Sequence, residues 1–460
     1  MEQIASYQRK DNPHRTDPGD FLSVLNSLGI RYTEEGMWLR TGWYEIPQEY
    51  VFFLPVRISQ ARKLLSVIMP VLAKEREVSC LVVKDETEMV RMNSGYYGLH
   101  MPGKGIQVWM SSGKTAAKLA PELLALTVNF HGMRLPDCVC LENVLYVSHV
   151  IKDRSLLRKT REFFYNPYRF FKTVNSLPDK IIVGKWFLPV KIIKSSGLGN
   201  TYKGINLLEM KWCLLQQANI HAADDLQGRD IRDRLLWQRA VMERLEKVVR
   251  VPKIIGYAEY GAFSFMVTEF IEGENLMKQT KKLLHPKGWI GTGRKERILL
   301  MRYYLEVLEI VERIHREGFI HRNVQPSSFM VSLNGKLVAI GLGFAWPYSN
   351  SEGCEPFFSG AKGYASPEQQ QGNMPEVSHD VYSLGALFYY LVTGRDLPGY
   401  AADGMPKEVT DQLRLHQVDE LLIPRIARCL SARSEERPSL EKLKMLIIHV
   451  LHDMIFRNGE

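Results

Sequence analysis

The sequence lacks any apolar run of membrane length. Its longest useful stretch, Val381 to Gly394, is closed by Asp380 and Arg395, short of the ~20 apolar residues that a spanning helix needs. It has no Gly-x-y period and no low-complexity tract, which excludes collagen-like and linker-like chains. The first residues, MEQIASYQRKDNPHR, are polar and carry no apolar core of a signal peptide. The expected location is therefore the cytoplasm. Cysteine is sparse, with six residues at 80, 138, 140, 213, 354 and 429. Only Cys138 and Cys140 are close, at a spacing that puts both on one face of a strand. No Cys-x-x-Cys or His-x-x-x-His completes a zinc site, so buried reduced thiols are expected.

What is present is an ordinary globular composition, 45% hydrophobic and 24% charged over 460 residues, enough for about three packed units at ~150 residues each. The basic excess is local. Residues 151–172 hold seven Lys/Arg against two acids, and residues 277–297 hold seven against one. Localised charge attracts an anionic partner more than a uniform balance does. The first stretch interleaves Phe and Tyr with its cations, which is compatible with single-stranded nucleic acid, with an acidic peptide, or with a solvated amphipathic connector.

Three regions separate on pattern. Residues 1–175 mix short alternating runs, Val51 to Ile58 and Gly105 to Met110, with a helix that repeats Ala61, Leu64, Leu65, Ile68 and Met69. This region is predicted to be α+β. Residues 176–276 contain three strand-like runs and one charged helix, Ile231 to Val249, with Leu235, Met242, Leu245 and Val249 at helical intervals. Residues 277–460 are mostly helical in pattern, including Ile298 to Arg316, Val381 to Val392 and Leu440 to Phe456.

A strand-rich lobe followed by a helical lobe resembles the bilobal protein kinase architecture. Ser196-Gly197-Leu198-Gly199-Asn200 sits between strand runs, where kinases place the glycine-rich loop over ATP phosphates. Phe319-Ile320-His321-Arg322-Asn323 resembles the catalytic loop, and Ala365-Ser366-Pro367-Glu368 the end of the activation segment. Asp380 to Gly385 resembles the buried helix that follows, and Glu436-Arg437-Pro438 the C-terminal arginine motif. The resemblance implies that Glu368 pairs with Arg437 and that Asp380 holds the catalytic-loop backbone.

Phosphoryl transfer asks for positioned charge: a strand lysine with its glutamate partner, a base, and groups that hold Mg²⁺. The resemblance places Gln216 at the lysine, Gln238 at the glutamate and Asn323 at the base. It places Gln325 at the loop lysine, Ser328 at the metal-binding Asn and Gly341 at the metal-binding Asp. All six depart from the family's residues. No cofactor and no metal site are expected; Gly197 and Gly199 are kept, which leaves weak nucleotide binding without Mg²⁺ as the residual alternative.

A second resemblance is narrower. Leu214 to His221, running into Gln227-Gly228-Arg229-Asp230, is similar to the kinase of class III lanthionine synthetases, which carry a phosphoserine/phosphothreonine lyase domain in front. Ile58 to Leu65, Met92-Asn93-Ser94 and Gly103-Lys104 resemble that lyase domain, where Lys104 is the one matching lysine. This implies a degenerate lyase-like domain, a kinase-like fold and no cyclase. The expected function is a catalytically inactive pseudokinase, a binding partner of a precursor leader peptide or an active modifying enzyme in ribosomal peptide (RiPP, lanthipeptide) biosynthesis. Lys278, Lys281, Lys282 and Lys287 are the candidate partner-binding cations. The alternative is an ATP-using enzyme of altered chemistry in the same pathway.

Overall fold

The computed structural model describes residues 19–42, 47–98, 100–150, 182–348, 355–358, 360–397 and 406–456. The basic-aromatic connector Arg154 to Lys172 and Cys354 lie outside the described residues. The chain divides into two compact units. One holds the described residues up to Leu235 together with Ile255–Val267. The other holds Leu236–Ile254 and the described residues from Thr268 onward.

The first unit opens with α1 (Leu22–Ser27), β1 (Tyr32–Glu35), β2 (Trp38–Gly42) and β3 (Tyr50–Phe53). It continues through α2 (Ile58–Leu72), β4 (Val78–Val83), α3 (Glu86–Asn93), β5 (Ile106–Met110), α4 (Gly113–Thr127), β6 (Val139–Glu142) and β7 (Leu145–His149). The strands form one seven-stranded sheet in the order β1-β2-β4-β5-β3-β7-β6, antiparallel at every pairing. The predicted helical repeat holds: Ala61, Leu64, Leu65 and Ile68 are fully buried on α2. The alternating run from Val51 to Ile58 is a strand only to Phe53. Pro55 offers no N–H to a ladder, and Arg57 turns into α2.

The same unit carries a five-stranded sheet, β11-β12-β10-β9-β8. Its strands are β8 (Phe187–Lys194), β9 (Thr201–Asn206), β10 (Lys211–Asn219), β11 (Ile254–Tyr260) and β12 (Phe263–Glu269). The boundary between the two units crosses β11 and β12 near their ends and α5 (Ile231–Leu245) near its start.

The two sheets are joined inside this unit by one apolar cluster. Val51 and Phe53 from β3, Met133, Leu135, Cys138 and Tyr146 enclose Ala222 from the segment after β10, with Leu198 and Ile231 packed against them. Polar bonds seal the joint. Asp224 accepts from the Ile58 backbone N–H at 2.7 Å and from Asn93 Nδ2 at 3.2 Å. The Arg134 guanidinium lies over the Phe263 ring. Cys138, in the bend just before β6 and not on a strand as its spacing to Cys140 predicts, belongs to this cluster, Cys140 on β6 packs against it, and the described cysteines are free thiols.

The second unit is mostly helical. It contains β13 (Gly273–Asn275), α6 (Leu276–Leu283), α7 (Arg294–Arg316), β14 (Phe319–Ile320), β15 (Phe329–Ser332), β16 (Leu337–Ala339) and β17 (Trp346–Pro347). Then come α8 (Pro367–Gln370), α9 (Val377–Thr393), α10 (Pro406–Leu415), α11 (Ile423–Cys429) and α12 (Leu440–Phe456). Every residue of α9 from His379 to Thr393 is buried, including Asp380 and Ser383, so it is the central helix of the unit. β13 pairs with β15, which places residues 273–275 with the helical unit. No helix among the described residues is long and apolar enough to cross a membrane.

Candidate functional site: the catalytic-loop centre

The loop from His321 to Ser328 is held from beneath by one buried carboxylate. Asp380 is fully enclosed and accepts from the backbone N–H groups of His321 at 2.7 Å and Arg322 at 2.8 Å. Its Oδ2 also lies 2.8 Å from His315 Nε2. Burial alone would raise this carboxyl, but the His315 hydrogen bond and nearby charge hold it below the usual aspartate value. Arg322 takes a positive φ of 61°, uncommon for a residue other than glycine. Gln369 Nε2 donates to its carbonyl at 2.9 Å, and its own Nη1 donates to the Phe344 carbonyl at 3.2 Å. The loop is therefore a fixed, strained turn braced from α8 and α9.

The second brace is the buried pair Glu368–Arg437. The guanidinium makes a fork–fork contact, with Nη2 at 2.9 Å from Oε2 and Nη1 on Oε1. It also donates to the carbonyls of Ser431 and Ser378 and lies over the Tyr382 ring. Burial pushes Glu368 upward, yet the Arg437 bonds bring it below the normal glutamate value. Asp380, Glu368 and Arg437 thus sit in the roles that the sequence implies for them.

The chemistry-bearing positions come together as a neutral cluster. Asn323 Nδ2 donates to Ser328 Oγ at 3.2 Å and to the Gly341 carbonyl at 3.3 Å. Gln325 Nε2 donates to Asn323 Oδ1 at 2.8 Å, and Ser328 Oγ donates to the Asn323 carbonyl at 2.7 Å. A Cβ at Gly341 would lie 2.5 Å from Ser328 Oγ and 2.6 Å from Ser328 Cβ. Asn323, Ser328 and Gly341 are therefore one self-satisfied packing unit. Among the described residues no group of three or more His, Cys, Asp or Glu could hold a metal ion. The oxygens of Asn323 and Ser328 already have internal partners, and Gly341 has no side chain. This donor set does not fit a hard divalent cation, which takes carboxylate and water oxygens.

Beside this cluster, Trp237 on α5 donates Nε1–H to the Ala345 carbonyl at 2.8 Å and stacks on Trp346 with centroids 4.8 Å apart. The next residue, Gln238, points its amide at Met242 Sδ, 3.8 Å away. Gln216 lies on β10 of the other unit, in register with Thr201.

In the first unit the glycine-rich loop is wired to the end of β10. Asn219 donates its N–H to the Leu198 carbonyl and its Nδ2 to the Gly197 carbonyl, both at 3.0 Å. A relay of amides and a phenol continues from Asn219 through Gln217 and Tyr202 to Asn200. Gly199 has φ of +148°, and a Cβ there would lie 2.0 Å from the Gln217 carbonyl, so only glycine fits. Sequence reading found both glycines but missed Asn219, whose role depends on two strands being adjacent.

Lys104 sits at 4% exposure with its amine 2.7 Å from Asp137 Oδ2 and over the Phe53 ring. It is a structural ion pair beside the apolar cluster. Lys278, Lys281, Lys282 and Lys287 are carried on and after α6, with Lys282 paired to Glu274.

Residues 196–452 match the family model described as protein kinase domain. Serine/threonine-protein kinase F of Synechocystis sp. is 28% identical over 236 residues, 47% of this chain and 45% of that protein. Serine/threonine-protein kinase PknA of Nostoc sp. is 26% identical over 217 residues, covering 45% of this chain and 36% of the relative. Serine/threonine-protein kinase PknB of Mycolicibacterium smegmatis is 29% identical over 137 residues, covering 29% of this chain and 20% of the relative. The chain thus spans less than half the length of each of these relatives.

These matches correct four expectations. The inactive scaffold in lanthipeptide or RiPP biosynthesis is overturned, because the relatives are named as serine/threonine kinases. The expectation of a non-enzyme falls with it. The lanthionine synthetase assignment falls too, since the relatives carry serine/threonine kinase names and the family model is that of the protein kinase domain. The expectation of no cofactor conflicts with a fold whose reaction uses ATP and Mg²⁺. With the family model covering more than half of its residues, the chain belongs to the protein kinase family.

Proposed function

We propose that the chain is an ATP-using serine/threonine protein kinase whose catalytic loop works without a carboxylate base. The observation that supports this most is the intact bracing of that loop, with Asp380 on the His321 and Arg322 amides and Glu368 forked to Arg437. Phosphoryl transfer passes through a loose transition state in which positioning supplies most of the catalysis. In such a state the attacking hydroxyl keeps its proton until late, and a phosphoryl oxygen can take it. Asn323 would then orient the hydroxyl through its amide. The missing base lowers the rate by ~10²–10⁴ rather than abolishing it. Because the donor set at Asn323, Ser328 and Gly341 holds no carboxylate, the chain's own part is to fix the loop and place the acceptor. The glycines of the 196–200 loop fit close approach to nucleotide phosphates. The lysines at 278, 281 and 287 fit a surface that steers a polypeptide substrate. The N-terminal region is proposed as a domain that seats on the small-lobe loops. Lyase-type chemistry gains no support there, since the Lys104 amine is committed to Asp137.

The test is transfer of label from γ-labelled ATP, with Mg²⁺ or Mn²⁺, to Ser/Thr peptides by the purified chain. Slow incorporation that increases in Asn323→Asp is expected. Absence of transfer in both proteins, together with no thermal stabilisation by millimolar ATP, would overturn the proposal.

A further inference from the structure

Away from the catalytic loop, the second unit carries a cavity of about 460 Å³. That volume lies within the ~300–1,000 Å³ of ordinary ligand sites. One wall is the outward face of α7, where Arg302, Leu305, Glu306, Glu309, Ile310 and Arg313 recur at helical spacing. The other walls are Lys336 and Leu337 of the β15–β16 hairpin and Arg250. The hairpin is fixed in place, because Glu306 Oε1 accepts from the Leu337 N–H at 2.9 Å and Ala339 N–H donates to the Arg250 carbonyl at 2.9 Å.

The charges in this groove do not cancel. Glu306 keeps its charge while it accepts from the Leu337 N–H, and Glu309 lies 3.8 Å from Arg313, so the four cations of the lining outweigh its two carboxylates. The side chains of Arg250, Arg302 and Lys336 are exposed and, among the described residues, make no ion pair or hydrogen bond. Three separate segments thus hold Arg250, Arg302 and Lys336 around half-buried Leu305, with Ile310 and Leu337 buried beneath it. A floor of apolar side chains rimmed by cations is complementary to one kind of chain: an apolar residue flanked by carboxylates.

We propose that this groove docks an acidic peptide segment of a protein partner, with an apolar side chain on the Leu305–Ile310–Leu337 floor and carboxylates on Arg250, Arg302 and Lys336. The site is separate from the catalytic loop, so its occupancy requires neither nucleotide nor phosphoryl transfer.

The experiment is fluorescence anisotropy on the full chain without ATP, using a labelled peptide of alternating Glu and Leu, the same peptide with Leu→Ser, and pyrophosphate as competitor. Binding of the Glu/Leu peptide is expected, weakening with salt, and weakening at least about tenfold in Arg302→Glu/Lys336→Glu. Arg250→Glu should weaken it separately. The exposed control Lys442→Glu should leave it unchanged, and thermal melts should show all variants folded, as expected for surface sites. Binding no tighter than about 1 mM, or binding unaffected by the two reversals, would overturn the proposal. Equal binding of the Leu→Ser peptide, or full displacement by pyrophosphate, would also overturn it, because the groove would then recognise charge alone. Activity of the kinase centre is not read at any step, so this test and the labelled-ATP test fail independently.

Discussion

Replacing Asp224 by asparagine should stabilise the protein at neutral and alkaline pH and flatten its pH dependence. The Asp224 carboxyl is almost wholly buried at the joint between the seven-stranded sheet and the segment after β10, and burial raises it from 3.8 to about 7. The backbone N–H of Ile58, the Arg57 charge and Asn93 oppose that rise, and the neighbouring Asp225 adds to it. A rise of this size corresponds to about 4 kcal/mol at ~1.36 kcal/mol per pH unit. The folded chain keeps its proton between pH 4 and 7 while the unfolded chain loses it. Stability from this group is thus fully present below pH 4, falls as pH rises to 7, and stays low above it. The substituted amide has no charge to bury, and its oxygen can keep the Ile58 N–H. Its NH₂ group would face Asn93 Nδ2, however, and Asn93 cannot turn over without losing its bond from the Gly103 N–H at 3.1 Å. That conflict costs about 1 kcal/mol. The net expectation is a gain of about 2–3 kcal/mol at pH 8 and little or none at pH 4. Urea unfolding followed by tryptophan fluorescence, at pH 4 to 8 on both proteins, reads this directly. Parallel pH curves, or a loss of stability in Asp224→Asn at pH 8, would show that the carboxylate is held charged and that the joint is built on it.

Three further outcomes are expected. Gly341→Asp, alone, should lower the melting temperature, because its Cβ meets Ser328 Oγ at 2.5 Å. Overpacking of this kind costs about 1–3 kcal/mol, or roughly 2–4 °C per kcal/mol in a unit of this size, and Ser328→Gly should restore most of it. Arg437→Met should cost about 3–5 kcal/mol by leaving the largely enclosed Glu368 carboxylate with only His379, 3.7 Å away, beside it, with Arg437→Met/Glu368→Leu less damaging than the single change in chemical denaturation. Charge reversal of Lys278, Lys281 and Lys287 should raise the KM for an acidic peptide substrate while leaving kcat within about twofold, an effect that fades in high salt. An unchanged KM would leave these lysines merely solvated.

The sequence alone determined the kinase fold of the second half. Local signals there are strong: the apolar periodicity of α7, α9 and α12, and the order of Gly197, His321, Glu368, Asp380 and Arg437 along the chain. The resemblance to the kinase order of motifs was enough to foresee Glu368 on Arg437 and Asp380 beneath the loop. The nature of the 323–341 centre was legible residue by residue and still misleading, since a list of substitutions does not show that Asn323, Ser328 and Gly341 close on one another as a packed unit. The wiring of the glycine-rich loop to Asn219 could not be read, because it depends on β9 and β10 lying side by side across a turn. Nor could the joint at Asp224. Its partners Ile58 and Asn93 stand 166 and 131 residues away, and a buried carboxyl is written in sequence with the same letter as a solvated one. Only the tertiary structure removes the water, and it is that removal which fixes the group's charge.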